Sequence, residues 1–280
     1  MPKIKYRYCC SHSDILIELL NKNHIEYNIS DFPTISCKLV NFDIISDKQI
    51  DEALEKHLVT IEPKPTCFVT KIYNPQEMRS AQWFSMWCDN MKIEELPNAP
   101  AYEYQCRKNE LYANHREQVR PFTLRKNVKW GTKRGFIAAM GDPTLLFISA
   151  RTKDLLLQYS VSNIDFFPVI NFSTNLPFDD VYQMVITNIL PDEALIIDEA
   201  DNCQKKTCDM CGKVQYWIDG TYQLKVKGNY LSTEHDVYAT NKLFGAGFAR
   251  REIIVSRRFY EIIQANKLGR TLHFEPILID

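Results

Sequence analysis

Ile253-Ile-Val-Ser256-Arg-Arg-Phe259-Tyr-Glu-Ile262-Ile263-Gln-Ala-Asn-Lys-Leu-Gly269-Arg-Thr-Leu272-His-Phe274-Glu-Pro276-Ile-Leu278 is the stretch whose reading decides the fold. Its β-branched opening predicts a strand. Ser256 then offers a side-chain oxygen to the free N–H groups of a new helix, in which Phe259, Ile262 and Ile263 share an inward face. Gly269 is suited to end that helix. Beyond it Leu272, Phe274 and Leu278 alternate as a strand. Pro276, which lacks an N–H for a neighbouring strand, assigns that strand to a sheet edge.

Working outward, the runs 145–149, 166–172, 181–187, 195–197 and 222–226 read as further short strands, and 152–159 as a helix between the first two. The N-terminal part reads differently. Residues 11–20 carry serine cap candidates ahead of closely spaced apolar residues, which predicts a short helix. Ser46-Asp-Lys-Gln49 resembles a capping box, followed by Ile50, Ala53, Leu54 and Leu58 at helical spacing. Residues 67–73 read as a strand ended by Asn74-Pro75. Phe84, Trp87, Cys88 and Met91 fall at i, i+3, i+4 and i+7, which predicts a buried helix face. Leu96-Pro-Asn-Ala-Pro100 interrupts any regular element. The expectation is therefore an α+β chain: a helix-rich N-terminal α/β subdomain over 1–96, then 101–280 as a mixed or antiparallel β-sheet with packed helices.

The chain has 280 residues, 45% of them apolar and 25% charged, enough to bury a large core. Its formal net charge of −1 supplies no global attraction to nucleic acid or membrane. No apolar run approaches the ~20 residues of a membrane helix, and the N-terminus has no signal-peptide core. Nine cysteines without framework spacing fit reduced thiols in a cytoplasm.

Cys208-Asp-Met-Cys211-Gly212 has the spacing that lets two thiolates face one metal ion, with a glycine to turn the backbone beneath. The metal expected there is zinc, completed by Cys203 or by thiols and histidines such as Cys37, Cys67 and Cys106. The competing reading is a tight turn with two free thiols. A basic stretch includes Arg107, Lys108, Arg116, Arg120, Arg125, Lys126, Lys129, Lys133 and Arg134, interleaved with Tyr112, Phe122 and Trp130. It reads as a solvated face, a docking surface for an acidic partner, or a single-strand nucleic-acid surface. An acidic stretch with Asp192, Glu193, Asp198 and Glu199 reads as loop solvation or as a mimic of phosphates. Six histidines form no His-x-x-x-His pair, and Gly-x-Ser-x-Gly, Walker and Gly-x-Gly-x-x-Gly motifs are absent from the sequence. No enzyme is expected.

The order of several C-terminal motifs resembles one known pattern. These are Arg120-Pro121, Gly131-Thr-x-x-Gly135, Cys208-x-x-Cys211-Gly212, Asp236-Val-Tyr, Phe244, Ile254-Val-Ser256-x-x-Phe259 and Leu272-x-Phe-x-Pro276. Together they are similar to the double-CXXCG family of immunity proteins from bacterial polymorphic toxin systems. Only the second Cys-x-x-Cys-Gly of that family is present. The resemblance implies an antitoxin-like protein of bacterial competition that binds a cognate toxin and blocks it by stoichiometric protein–protein occlusion. Arg116, Arg120, Arg125, Lys126, Asp192, Glu193, Asp198 and Glu199 are its candidate toxin-binding charges. The alternative is a zinc-knuckle nucleic-acid-binding module.

Overall fold

The computed structural model describes residues 2–280 apart from 33–36, 97, 99, 107–111, 198–202, 219–221 and 246. The α+β expectation with a helix-rich N-terminal part is overturned. The chain is mostly β, with 45% of residues in strands and 19% helical. It divides into two compact units, Met1–Glu77 and Met78–Asp280, so Leu96–Pro100 lies within the second.

The first unit is built on an antiparallel sheet in the order Tyr27–Phe32, Cys37–Ile45, Lys3–Ser11, Thr66–Ile72. Alternate residues face opposite sides of a strand. Cys10, Val40, Phe42 and Ile44 point to a core completed by Leu16 and Leu20 of helix Asp14–Lys22 and Leu54 of helix Glu52–Thr60. On the other side Arg7 pairs with Asp43 at 2.8 Å. The first helix starts as its sequence predicts, with Ser13 Oγ accepting from Leu16 N–H. The second does not. Asp51 caps it, while Ser46 Oγ accepts the N–H of Ile4. Strand Thr66–Ile72 is legible in the sequence, but Lys3–Ser11, Tyr27–Phe32 and Cys37–Ile45 are missed, each of which mixes polar or charged residues with apolar ones, so the two short helices dominate the expectation.

The second unit holds a six-stranded sheet, ordered Met91–Ile93, Phe136–Ala139, Asp142–Ser149, Pro177–Ile186, Ile164–Asn171, Thr123–Leu124. Its longer sheet runs Gln204–Thr207, Val214–Trp217, Val237–Phe244, Arg250–Ser256, Trp83–Cys88, Leu272–Pro276, with Ile189–Leu190 also paired to Val237–Phe244. Strand Asp142–Ser149 runs against Trp83–Cys88 and Arg250–Ser256 across the layer between these sheets. Phe84, Met86, Phe136, Ala138, Leu146, Ile148 and Val255 fill that layer. Leu156 of helix Ala150–Gln158 and Phe259 and Ile263 of helix Arg257–Ala265 enter it as well.

The opposite faces are apolar too. Ile137, Phe147 and Val181 join Phe122 and Val169 beyond the six-stranded sheet, while Tyr238, Phe244 and Ile254 join Leu224 and Val226 beyond the longer one. Each fully buried large side chain contributes roughly 1.5–3 kcal/mol. This two-sided burial explains the misread helix at 84–91. Those residues form strand Trp83–Cys88 and the start of Met91–Ile93, and a strand buried on both faces shows no alternation to distinguish it from a helix.

Ser256 Oγ accepts from Phe259 N–H at 3.1 Å and caps its helix as expected. Leu272–Pro276 is an edge strand, also as expected. Gly269 is not the stop: the helix ends at Ala265, and Lys267 takes the left-handed conformation with φ 55°. Among the described residues no helix is long and apolar enough to cross a membrane.

Candidate metal centre

Strands Gln204–Thr207 and Val214–Trp217 pair antiparallel with Thr207 opposite Val214, which leaves 208–213 as the connecting loop. Cys208 N–H donates to the Lys213 carbonyl at 2.9 Å and closes the neck of that loop. Gly212 N–H donates to the Cys208 carbonyl at 2.8 Å, a turn that requires φ +70° at Gly212. A Cβ on Gly212 would meet nothing within 4 Å, so the glycine is needed for its backbone conformation and not for space. The local sequence thus folds both thiols onto one side of a knuckle.

The third donor comes from far along the chain. His115 lies in strand Tyr112–Gln118, which pairs with Tyr102–Cys106 and with Gly247–Phe248. Its Nδ1 is 3.2 Å from Cys211 Sγ, and the donor atoms of His115, Cys208 and Cys211 all lie within 4.8 Å of one another. Zinc–sulfur and zinc–nitrogen bonds of about 2.3 and 2.0 Å in a tetrahedron put S and N about 3.5 Å apart. Two thiols and an imidazole at this separation therefore fit a borderline-soft ion such as zinc. His115 is 2% exposed and Cys208 5%. Burial, reinforced by the Lys213 charge, holds the His115 pKa below its ordinary value. The imidazole is then neutral at pH 7, the form that binds metal.

Cys203 does not belong to this donor group. It precedes Gln204–Thr207 on the far side of the hairpin strand from the knuckle. Cys67 is an exposed thiol of the first unit. A bulge between Tyr104 and Cys106 sets the backbone of Cys106 opposite His115. Nothing local in the sequence marks His115 as a ligand, because its partners reach it only through strand pairing.

The predicted charges are scattered. Arg116 is buried in a 3.1 Å ion pair with Asp142, its guanidinium 4.1 Å above the Tyr102 ring. Arg120 lies 3.9 Å from Glu103 on an exposed surface, and Arg125 sits over the Phe172 ring. Lys126 is exposed. Asp192 accepts from Asn241 Nδ2 at 3.0 Å and opens the 3-10 turn that includes Glu193. Arg107, Lys108, Asp198 and Glu199 lie outside the described residues. Of the candidate stacking rings, Phe122 is buried in the core beyond the six-stranded sheet, and Trp130 packs against that core half-buried.

No protein-family model matches the sequence, and no curated protein matches it.

Proposed function

We propose that this chain is an immunity protein that binds a cognate toxin in the cytoplasm and neutralises it by stoichiometric occlusion, without catalysis. We further propose that a zinc ion held by His115, Cys208 and Cys211 fastens its scaffold.

The observation that carries the reading is where the motif residues stand. Asp236, 4% exposed, accepts from Ser256 Oγ at 2.9 Å and from Ser162 N–H at 3.1 Å, and it also pairs with Arg258. Ser256 in turn caps the helix that buries Phe259. Leu272–Pro276 pairs with Trp83–Cys88, which pairs with the strand carrying Ile254 and Ser256. Gly135 is pressed so closely that a Cβ there would lie 2.7 Å from Thr152 Oγ1. Gly135, Asp236, Ser256, Phe259 and strand Leu272–Pro276 thus hold one β scaffold together, which supports reading the order of the motifs as a fold-level signature. A scaffold of this kind offers surfaces for a partner and leaves the choice of partner to exposed side chains.

A bound zinc would crosslink the knuckle to strand Tyr112–Gln118. His115 and the two cysteines supply that link from segments that are remote in sequence. The nucleic-acid alternative is weakened by the burial of Phe122, since a ring committed to a core cannot stack on bases.

Co-expression with a toxin, sought in the neighbouring reading frames, tests the function. Growth should recover only when this chain is at least equimolar to the toxin, and the two should co-elute as a complex. Rescue by a catalytic amount, or no rescue and no complex, overturns the reading. The zinc component is tested separately by elemental analysis of the purified protein. About one zinc per chain is expected, falling in Cys208→Ser and His115→Ala variants.

A further inference from the structure

A cleft of about 630 Å³ opens within the second unit next to the knuckle, with His115 and Gly212 in its wall. Six cationic side chains line it, Arg116, Lys205, Lys213, Lys242, Arg250 and Arg251, against the carboxylates of Asp142 and Asp192. The Arg116–Asp142 pair is complete in itself. Asp142 also accepts the N–H and hydroxyl of Thr144 and the N–H of Leu145. Arg250 lies 3.5 Å from Glu252.

Lys242 and Arg251 are in a different position. Lys242 Nζ donates to the Leu195 carbonyl at 3.3 Å, and Arg251 donates to the Thr240 carbonyl at 2.7 Å and to Asn241 Oδ1 at 3.1 Å. These acceptors are all neutral. Among the described residues, no carboxylate lies within ion-pairing distance of either cation. Burial lowers the pKa of both groups, and the charge of Asp192 only partly opposes that shift. Two half-buried cations thus have no described carboxylate within ion-pairing distance, an arrangement that an incoming anion relieves.

We infer that this cleft binds a phosphate-bearing small molecule whose phosphate is taken by Lys242, Arg251 and Lys213. An Arg fork with Lys point charges suits a dianionic phosphate. A concave volume in the range of roughly 300–1,000 Å³ suits a small ligand better than a protein surface. The chemistry fits inorganic phosphates and nucleotides alike. The inference is independent of toxin binding and of zinc, and could hold where either fails.

Titration calorimetry of the full chain with inorganic pyrophosphate at low salt tests it. Binding at one site is expected, weakened about tenfold or more by Lys242→Met or Arg251→Gln, as befits loss of a charge-assisted contact. Lys213→Ala, at an exposed position, should weaken it several-fold and covers the case in which the Lys242 and Arg251 variants do not fold. A parallel titration with ADP distinguishes the sources, since tighter binding than pyrophosphate assigns the site to a nucleotide and weaker binding to inorganic phosphates. The inference is overturned if pyrophosphate does not bind at millimolar concentration. It is equally overturned if the folded variants bind unchanged, or if a glutamate-rich peptide binds more tightly than either phosphate compound.

Discussion

The two units solve the same problem, burying a sheet, in opposite ways. In Met1–Glu77 one sheet face carries Cys10, Val40, Phe42 and Ile44 under two helices, and the other carries ion pairs such as Arg7–Asp43. In Met78–Asp280 the two large sheets are apolar on both faces, with three packed layers around and between them. A one-sided sheet is held by a single apolar layer and is open to electrostatic tuning. A two-sided sheet depends on packing, and a loss in its central layer has no solvated side onto which to relax.

The difference can be probed cleanly because all four tryptophans, Trp83, Trp87, Trp130 and Trp217, fall in the second unit. Tryptophan fluorescence follows that unit alone, while far-ultraviolet circular dichroism follows both. The largest effect is expected for Phe84→Ala. Phe84 is fully buried between the sheets and stacks on Tyr260 with ring centroids 4.6 Å apart. Its truncation should destabilise the second unit by about 3–5 kcal/mol in urea titrations read by fluorescence. A loss below about 1 kcal/mol would show that the central layer repacks freely and would break the comparison.

Zinc removal comes next. If the ion is bound at a hundredfold excess over its dissociation constant, chelation should cost about 2.7 kcal/mol. The fluorescence transition should fall, while the first unit's transition stays in place. Cys208→Ser should reproduce this fall and make the protein insensitive to chelator. Parallel shifts in both transitions would contradict a site confined to the second unit.

A smaller contrast lies within one motif. Gly135→Ala should cost about 1–3 kcal/mol, since its Cβ would press on Thr152 Oγ1 at 2.7 Å and on Leu268 at 3.2 Å. Gly131→Ala should stay within about 0.5 kcal/mol, because a Cβ there meets nothing within 4 Å. Equal effects at the two positions, measured by thermal melting, would remove the packing explanation for the motif.

The smallest effect belongs to the first unit. Lys22, together with the Leu54 N–H and Asn23, lowers the Asp51 pKa to about 2. In the unfolded chain the same carboxyl takes up a proton near pH 3.9. Between these values the unfolded state binds more protons, so the contribution to stability is present above about pH 4 and is lost as pH falls toward 2. Asp51→Asn keeps a capping oxygen and removes the charge. The variant should show a flatter acid dependence of the circular dichroism transition over that window. An unchanged slope would mean that the ion pair does not tune the first unit.

The same contrast explains what could be read along the chain. Ser13 and Ser256 announced their helices because a cap acts on N–H groups within the next three residues. Pro276 announced an edge strand because the missing donor is its own. Ser46 misled, since its hydroxyl serves a strand more than forty positions away in sequence. Phe84, Trp87, Cys88 and Met91 misled because burial on both faces erases the two-residue period. At the candidate metal centre Cys208, Cys211 and Gly212 were legible as a knuckle, whereas His115 was one histidine among six.

The sequence by itself determined the elements whose cause is local: the capped helices, the edge strand and the turn that brings Cys208 and Cys211 together. Only the tertiary structure decided that the chain is mostly β, that its central strands are buried on both faces, and that His115 joins the two thiols. The reason is one of range. Caps and turns act over a few residues of the same backbone, while strand pairing and layer packing join residues whose separation in the chain carries no mark in either neighbourhood.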